Sequence, residues 1–301
     1  MRELKILAVV VVFTLITYYL VEPFAHSQMH KHVESEGFTY KDLKEVPKGN
    51  AANGEALAAA CMGCHSIKSA NIPAPMDALT AAQTYGVNPP DLSLAGKLLD
   101  EKFFAHFLVN PAEVTMSKHF SMPPSAGSLQ DAADIVAYFK SIAPKEEVTS
   151  KEAYEFACGR CHANRYANWT QIGEKPKFKT KQDELKFELT LADYQDALKN
   201  YMGKLPPDLS IYIRSRGEHY IKTFVENPQA YLHGTAMPRV GITEEGADKV
   251  IEFLEESGDY KLKVAKEGDA RDNIAPKVMI YLLIFALFAY LWKKEVWRDL
   301  H

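Results

Sequence analysis

The sequence predicts a mainly α-helical chain in which two tandem small helical domains are flanked by an N-terminal and a C-terminal transmembrane helix. Three observations carry that expectation. The chain repeats itself: Cys61-Met62-Gly63-Cys64-His65, Pro89-Pro90-Asp91-Leu92-Ser93, Asn110-Pro111 and Met122-Pro123 recur as Cys158-Gly159-Arg160-Cys161-His162, Pro206-Pro207-Asp208-Leu209-Ser210, Asn227-Pro228 and Met237-Pro238. From the first proline to the asparagine is 21 positions in both copies (110 minus 89, 227 minus 206), a register that chance does not easily produce. Each copy is bracketed by a short helical pattern and an amphipathic one, and an apolar run lies near each end of the chain.

Two cysteines separated by two residues and followed at once by histidine are what covalent attachment of a c-type haem requires. Each thiol adds to one haem vinyl, and the histidine is placed beneath the iron. A zinc site or a redox pair is the competing reading of one such motif. All four cysteines, Cys61, Cys64, Cys158 and Cys161, fall within the two motifs, so no disulfide framework remains to be explained. Two covalently attached haem c groups are therefore expected, and they would supply much of each small domain's core.

In chain order, residues 1–22 form the first expected anchor. Leu4 to Val21 is almost wholly apolar and follows Arg2, with Lys5 near its start, which places the N-terminus in the cytoplasm. A cleaved signal peptide is the alternative, and either reading exports the domains beyond it. Residues 23–48 read as a polar linker; its His26, His30 and His32 lack regular spacing, and no metal is assigned to them. The first domain, 49–144, has a lead-in helix over Asn53 to Ala60 and a closing helix over Ser128 to Ile142. Ser128 is the N-cap, and Ala132, Ile135, Phe139 and Ile142 share one face. The second domain, 145–258, repeats this with Ser150 to Ala157 and Thr243 to Glu256, whose apolar face carries Ala247, Val250, Ile251 and Leu254. A helix leading into the haem motif and a final helix packed across it is the arrangement class I cytochromes c resemble. Between His162 and Pro206 the second copy is 20 residues longer than the first (44 against 24 positions). Its lysine-rich and acidic part, Gly173 to Glu188, reads as an exposed loop and short helix.

His65 and His162 are the expected proximal iron ligands. For the sixth position a thioether raises the haem potential, and Met122 and Met237 stand before proline at equivalent places. Met116, His106 and His119 are weaker candidates in the first copy, as are His219 and His233 in the second. The Pro-Pro-Asp-Leu-Ser loops suit outer support: a rigid carbonyl, from Pro90 or Pro207, can accept the ligand's other N–H, while Asp91 or Asp208 caps the next helix. Arg214 and Arg216 are candidates to pair with haem propionates, or equally to form surface ion pairs.

Leu205-Pro206-Pro207-Asp208-Leu209-Ser210-Ile211-Tyr212-Ile213-Arg214-Ser215-Arg216-Gly217 closely resembles the stretch after the haem motif in cytochrome c1, and Cys61-Met62-Gly63-Cys64-His65-Ser66-Ile67 resembles that family's attachment site. In cytochrome c1 the methionine before proline is the sixth ligand and the arginine region lies near the haem propionates. The resemblance thus supports Met237, by repeat Met122, and the arginines. The common family member carries one haem; this chain looks like the dihaem c1-type subunit of a bacterial bc1 (quinol-cytochrome c reductase) complex. The implied partners are cytochrome b, a Rieske iron-sulfur protein that delivers electrons, and a cytochrome c or terminal oxidase that accepts them.

The tail fits that expectation. After a linker over 259–275, residues 276–292 are apolar apart from Lys277, and Lys293, Lys294 and Arg298 come next in a tail, 293–301, expected in the cytoplasm. The result would be a periplasmic dihaem head pinned to the inner membrane at both ends, with no quinone site or independent catalytic site of its own. A formal net charge of -4 gives no support to nucleic-acid binding. A dihaem subunit of a haem-copper terminal oxidase and a dihaem cytochrome c peroxidase stay open as alternatives. The peroxidase needs an open or displaceable sixth ligand, against which Met-Pro in both copies speaks.

Overall fold

The computed structural model describes residues 2–25, 37–117, 120–258 and 274–298. The chain is mainly helical. Residues 1–258 form one unit and residues 259–301 a second.

Helix α1, Arg2–Ile16, passes into a π-helical turn, Thr17–Val21. Lys5–Ala25 is the stretch among the described residues that is long and apolar enough to cross a membrane, and none of it is buried against protein. Its two threonines keep their hydroxyls off the surrounding medium: Thr14 donates to the Val10 carbonyl and Thr17 to the Phe13 carbonyl, both at 2.9 Å. The histidines at 26, 30 and 32 lie outside the described residues.

The first repeat is framed by α2, Ala51–Ala58, and α5, Leu129–Ile142. Asn50 caps α2 and Ser128 caps α5, the latter accepting from the Asp131 amide. The two helices cross where α2 has no side chain. A Cβ on Gly54 would stand 1.9 Å from the Asp134 carbonyl oxygen, so glycine is what allows the backbones to approach. Asp134 closes the crossing, accepting from the Asn50 amide at 2.7 Å. Between them lie α3, Ala78–Tyr85, and α4, Glu101–Val109.

The second repeat is framed by α6, Ser150–Ala157, and, later, a closing helix, Glu244–Gly258. A capping box of Thr149 and Glu152 starts α6. A short antiparallel pair, β1 (Trp169–Thr170) and β2 (Gly173–Glu174), precedes α7, Lys181–Met202. The extra segment of this repeat is therefore more than the exposed loop and short helix expected from its charge. Its helix runs 22 residues and buries Tyr194 and Leu198. Next come α8, Glu218–Glu226, and the closing helix α9, Glu244–Gly258, with Ala247, Val250, Ile251 and Leu254 all buried.

The repeats are joined by backbone. The Asp100 amide donates to the Gly241 carbonyl at 2.9 Å, the Thr243 amide to Leu98 at 2.8 Å and the Arg239 amide to Thr115 at 3.0 Å. Leu98, Phe103 and Val114 of the first repeat belong to the same buried cluster as Tyr154, Val250 and Leu254 of the second. The end of the segment read as a linker also packs there. Phe38 and Tyr40 are buried, the Phe38 amide donates to the Glu226 carboxylate, and the Tyr40 hydroxyl donates to the Ile242 carbonyl. The aromatic residues of this otherwise polar stretch explain the difference, because burying them outweighs the composition around them.

In the second unit, α10, Ile274–Arg298, is a 25-residue helix. The large apolar side chains from Met279 to Trp292 are exposed.

A repeated cysteine-histidine site

The two motifs share a backbone hydrogen-bond pattern. In the first, the Cys64 and His65 amides both donate to the Cys61 carbonyl, at 3.2 and 3.0 Å. In the second, Cys161 and His162 both donate to Cys158, at 3.0 and 2.9 Å. The offset is 97 residues (158 minus 61), and it holds through Asn71 and Asn168, which both take left-handed backbone with φ of 57° and 59°. A backbone bond then ties each motif to its downstream loop: Leu92 donates to Ser66 at 2.9 Å and Leu209 to Ala163 at 2.8 Å.

That tie brings the proline carbonyls to the imidazoles. His65 Nδ1 lies 2.8 Å from the Pro90 oxygen and His162 Nδ1 lies 2.8 Å from the Pro207 oxygen. A carbonyl only accepts, so Nδ1 carries the proton and Nε2 keeps its lone pair. Burial lowers the pKa of both imidazoles, opposed in part by the proline bonds; at His65 the Arg160 charge pushes the same way as burial. The neutral ring, oriented by an acceptor on the far nitrogen, is the form that ligates a metal.

Asp91 and Asp208 hold these loops. Asp91 accepts from the Ser93 amide, the Lys68 amide and the Ser66 hydroxyl, and Asp208 accepts from the Ser210 and Arg165 amides. Further on, Asn110 and Asn227 each cap a single helical turn with Pro at its start, with nearly identical dihedrals of -146°, 81° and -148°, 82°.

Around each motif is an apolar cluster that contains its first cysteine. Cys61, Ile67, Leu92, Phe104, Ile135 and Phe139 are buried together, with Met122 packed on them. Cys158, Ile221, Val225, Ile251 and Leu254 form the second, with Leu209 and Met237 packed on them. Burial pushes the Cys61 and Cys161 thiols up and takes Cys158 to about 12, so these sulfurs stay protonated. The Cys64 Sγ lies 3.6 Å from the Tyr85 hydroxyl. Two thiols three positions apart, an imidazole whose Nδ1 is engaged by a carbonyl, and a thioether packed on the cluster of the first cysteine are a donor set that fits haem c.

The other candidates are placed less pointedly. Arg214 and Arg216 are exposed, and Arg216 lies over the Tyr220 ring at 5.4 Å. His106 Nε2 is 2.9 Å from the Lys44 carbonyl, Met116 is 39% exposed, His219 and His233 are exposed, and His119 lies outside the described residues. No group of three or more His, Cys, Asp or Glu side chains suited to a bare metal ion occurs among the described residues.

Two features were not anticipated from the sequence. Arg239, two residues after Met237, is 3% exposed, forms a two-pronged pair with Asp42 at 2.7 and 3.0 Å, and lies over the Tyr40 ring at 4.6 Å. Helix α7 reaches the second motif and the loop downstream of the first: the Tyr194 hydroxyl donates to the Arg160 carbonyl at 2.9 Å and accepts from the Asn88 amide at 3.2 Å. The spacing of Tyr194, Leu198 and Tyr201, an i, i+4, i+7 stripe, was the available signal.

No family model matches the chain. The chain is similar to the protein described as the ammonia monooxygenase gamma subunit of Nitrosomonas europaea (strain ATCC 19718 / CIP 103999 / KCTC 2705 / NBRC 14298), 22% identical over an alignment of 187 residues, with 48% of this chain and 79% of that protein covered. Among solved structures it is similar to a chain described as hyperthermophilic respiratory Complex III, with 22% identity and a TM-score of 0.34, over 50% of this chain and 75% of that one.

Proposed function

We propose that this protein is a dihaem, c1-type electron-transfer subunit of a quinol-cytochrome c reductase. Each repeat is then a class I cytochrome c-like domain, the first over 49–144 and the second over 145–258, with haem attached through Cys61 and Cys64 and through Cys158 and Cys161. His65 and His162 would supply imidazole ligands to the iron, and Met122 and Met237 thioether ligands. The observation that carries the reading is the 2.8 Å bond from each motif histidine to a proline carbonyl, made twice by the same loop sequence. A dithiol switch gives no reason for that bond to recur.

When bound, the haem supplies one-electron chemistry; the chain supplies position and potential. Pro90 and Pro207 fix the tautomer and tilt of the imidazoles, and their acceptance of the Nδ1 proton raises the basicity of Nε2. The apolar clusters exclude water, and a thioether ligand favours the reduced state. Electrons would arrive from a Rieske iron-sulfur protein and leave to a cytochrome c or terminal oxidase, with cytochrome b carrying out the quinol chemistry. The helix over Lys5–Ala25 and helix α10 would anchor the head in a bacterial inner membrane, with the haem domains in the periplasm and both termini in the cytoplasm. The test is gentle detergent purification through this chain with identification of every accompanying subunit. Cytochrome b and a Rieske protein, with quinol-driven cytochrome c reduction, are expected. A haem-copper subunit in their place would move the chain to a terminal oxidase.

A further inference from the structure

Helix α7 belongs by sequence to the second repeat, yet much of what it touches belongs to the first. Leu198 and Tyr194 are fully buried and form an apolar cluster with Ala82 of α3, on which Leu79, Val87 and Cys161 also pack. The Tyr194 hydroxyl joins two loops: it accepts from the Asn88 amide, two residues before Pro90, and donates to the Arg160 carbonyl inside the second motif. Two helical turns later, the Tyr201 hydroxyl accepts from the Ser121 amide at 3.0 Å, the residue directly before Met122. The Tyr201 ring seats on Gly86, the left-handed end of α3. With φ at +87° and a would-be Cβ only 2.3 Å from Tyr201 Cγ, that position admits no side chain while α7 is in place.

We propose that α7 is a clamp between the two haem sites, in which Tyr194 and Tyr201 are positioning residues for the first: Tyr194 steadies the loop that orients His65, and Tyr201 holds the segment that presents Met122. The inference rests on the dihaem reading above. Its physical content is that the first site's axial ligands are held by a segment the first repeat does not contain, so the first site is completed only when the second repeat is folded against it. The matching span of the first repeat is 20 residues shorter, so the clamp has no counterpart in the opposite direction. The two sites are therefore unequal despite their matching motifs.

The test uses the full chain, purified in detergent in its ferric state, with imidazole as a probe that binds only where the thioether lets go. Covalent haem at both motifs is first established by peptide mass. The first-site binding phase is the one lost in Met122→His. Tyr201→Phe keeps the ring and removes the hydroxyl; it is expected to tighten imidazole binding at the first site about fivefold, equivalent to the ~1 kcal/mol net worth of one hydrogen bond, and to leave the second site unchanged. Gly86→Ala drives Tyr201 from its seat and is expected to act in the same direction and further. Both variants should also lower the first haem's reduction potential, a readout that mere loss of global stability does not move. Unchanged affinity and potential at the first site in both fully haem-loaded variants would overturn the clamp and leave the dihaem reading standing. Absence of covalent haem from the first motif would overturn both.

Discussion

At the scale of single residues, carboxylates hold the loops that face the motif histidines. Asp91 draws the Ser66 hydroxyl, the Lys68 amide and the Ser93 amide to one side chain, and so sets where the Pro90 carbonyl points. Although burial pushes its carboxyl up, those bonds hold it below the usual range. Asp91→Ala should cost about 1–2 kcal/mol of stability through lost capping. If the first motif carries haem as proposed, the substitution should also raise that haem's potential, because a weaker acceptor at Nδ1 makes the imidazole a poorer donor to iron. Chemical denaturation and a redox titration of the same preparation check the two effects. Asp42 is the second such residue. The hydrogen bonds from Arg239 come first among the causes that hold its carboxyl below the usual range. A depressed pKa gives stability that is present above the unfolded value of about 3.9 and is lost as pH falls through the folded value. The thermal midpoint should therefore drop below about pH 4, and Asp42→Asn should flatten that drop. At neutral pH the same substitution should cost about 1–3 kcal/mol, because Arg239 stays buried while its partner was half in water. The pairing of each motif histidine with its downstream loop was legible in the sequence because both the motif and the loop recur at matched positions. Arg239 was not, since its partner lies 197 positions away and no local pattern marks it.

At the scale of elements, helix ends and faces followed local rules. The Ser128 cap, the apolar faces of α5 and α9 and the start of α6 all lie where caps and 3.6-residue periodicity put them. The α2–α5 crossing is where a small change should act most sharply. Gly54→Ala places a methyl 1.9 Å from a backbone oxygen that cannot rotate away, and should lower stability by about 3 kcal/mol, read as a shift in the denaturation midpoint. An alanine at Gly63, where a Cβ meets nothing within 4 Å, should be close to neutral and serves as the comparison. Helix α7 shows why the rest of the fold was hidden. Its charged first half matches an exposed insertion, and its buried Tyr194 and Leu198 pack with Ala82 of the other repeat, which a reading of one repeat at a time does not bring together.

At the scale of the whole molecule, duplication is visible in the sequence and the joining of the copies is not. Spacing alone pairs Pro89 with Pro206 and Asn110 with Asn227. The backbone bonds from Asp100, Thr243 and Arg239, and the return of Phe38 and Tyr40 to the second repeat, come from tertiary contacts without a sequence signature. Such a seam makes the two repeats one cooperative body, and unfolding of residues 37–258 should proceed in a single transition by both tryptophan fluorescence and far-UV signal. What the two motifs carry decides the function of the molecule. The most direct measurement is peptide mass mapping of the full chain, purified from its native membranes, combined with haem quantitation. One haem bonded to Cys61 and Cys64 and another bonded to Cys158 and Cys161 is the predicted result. Free thiols, a disulfide or bound zinc at either motif would contradict it.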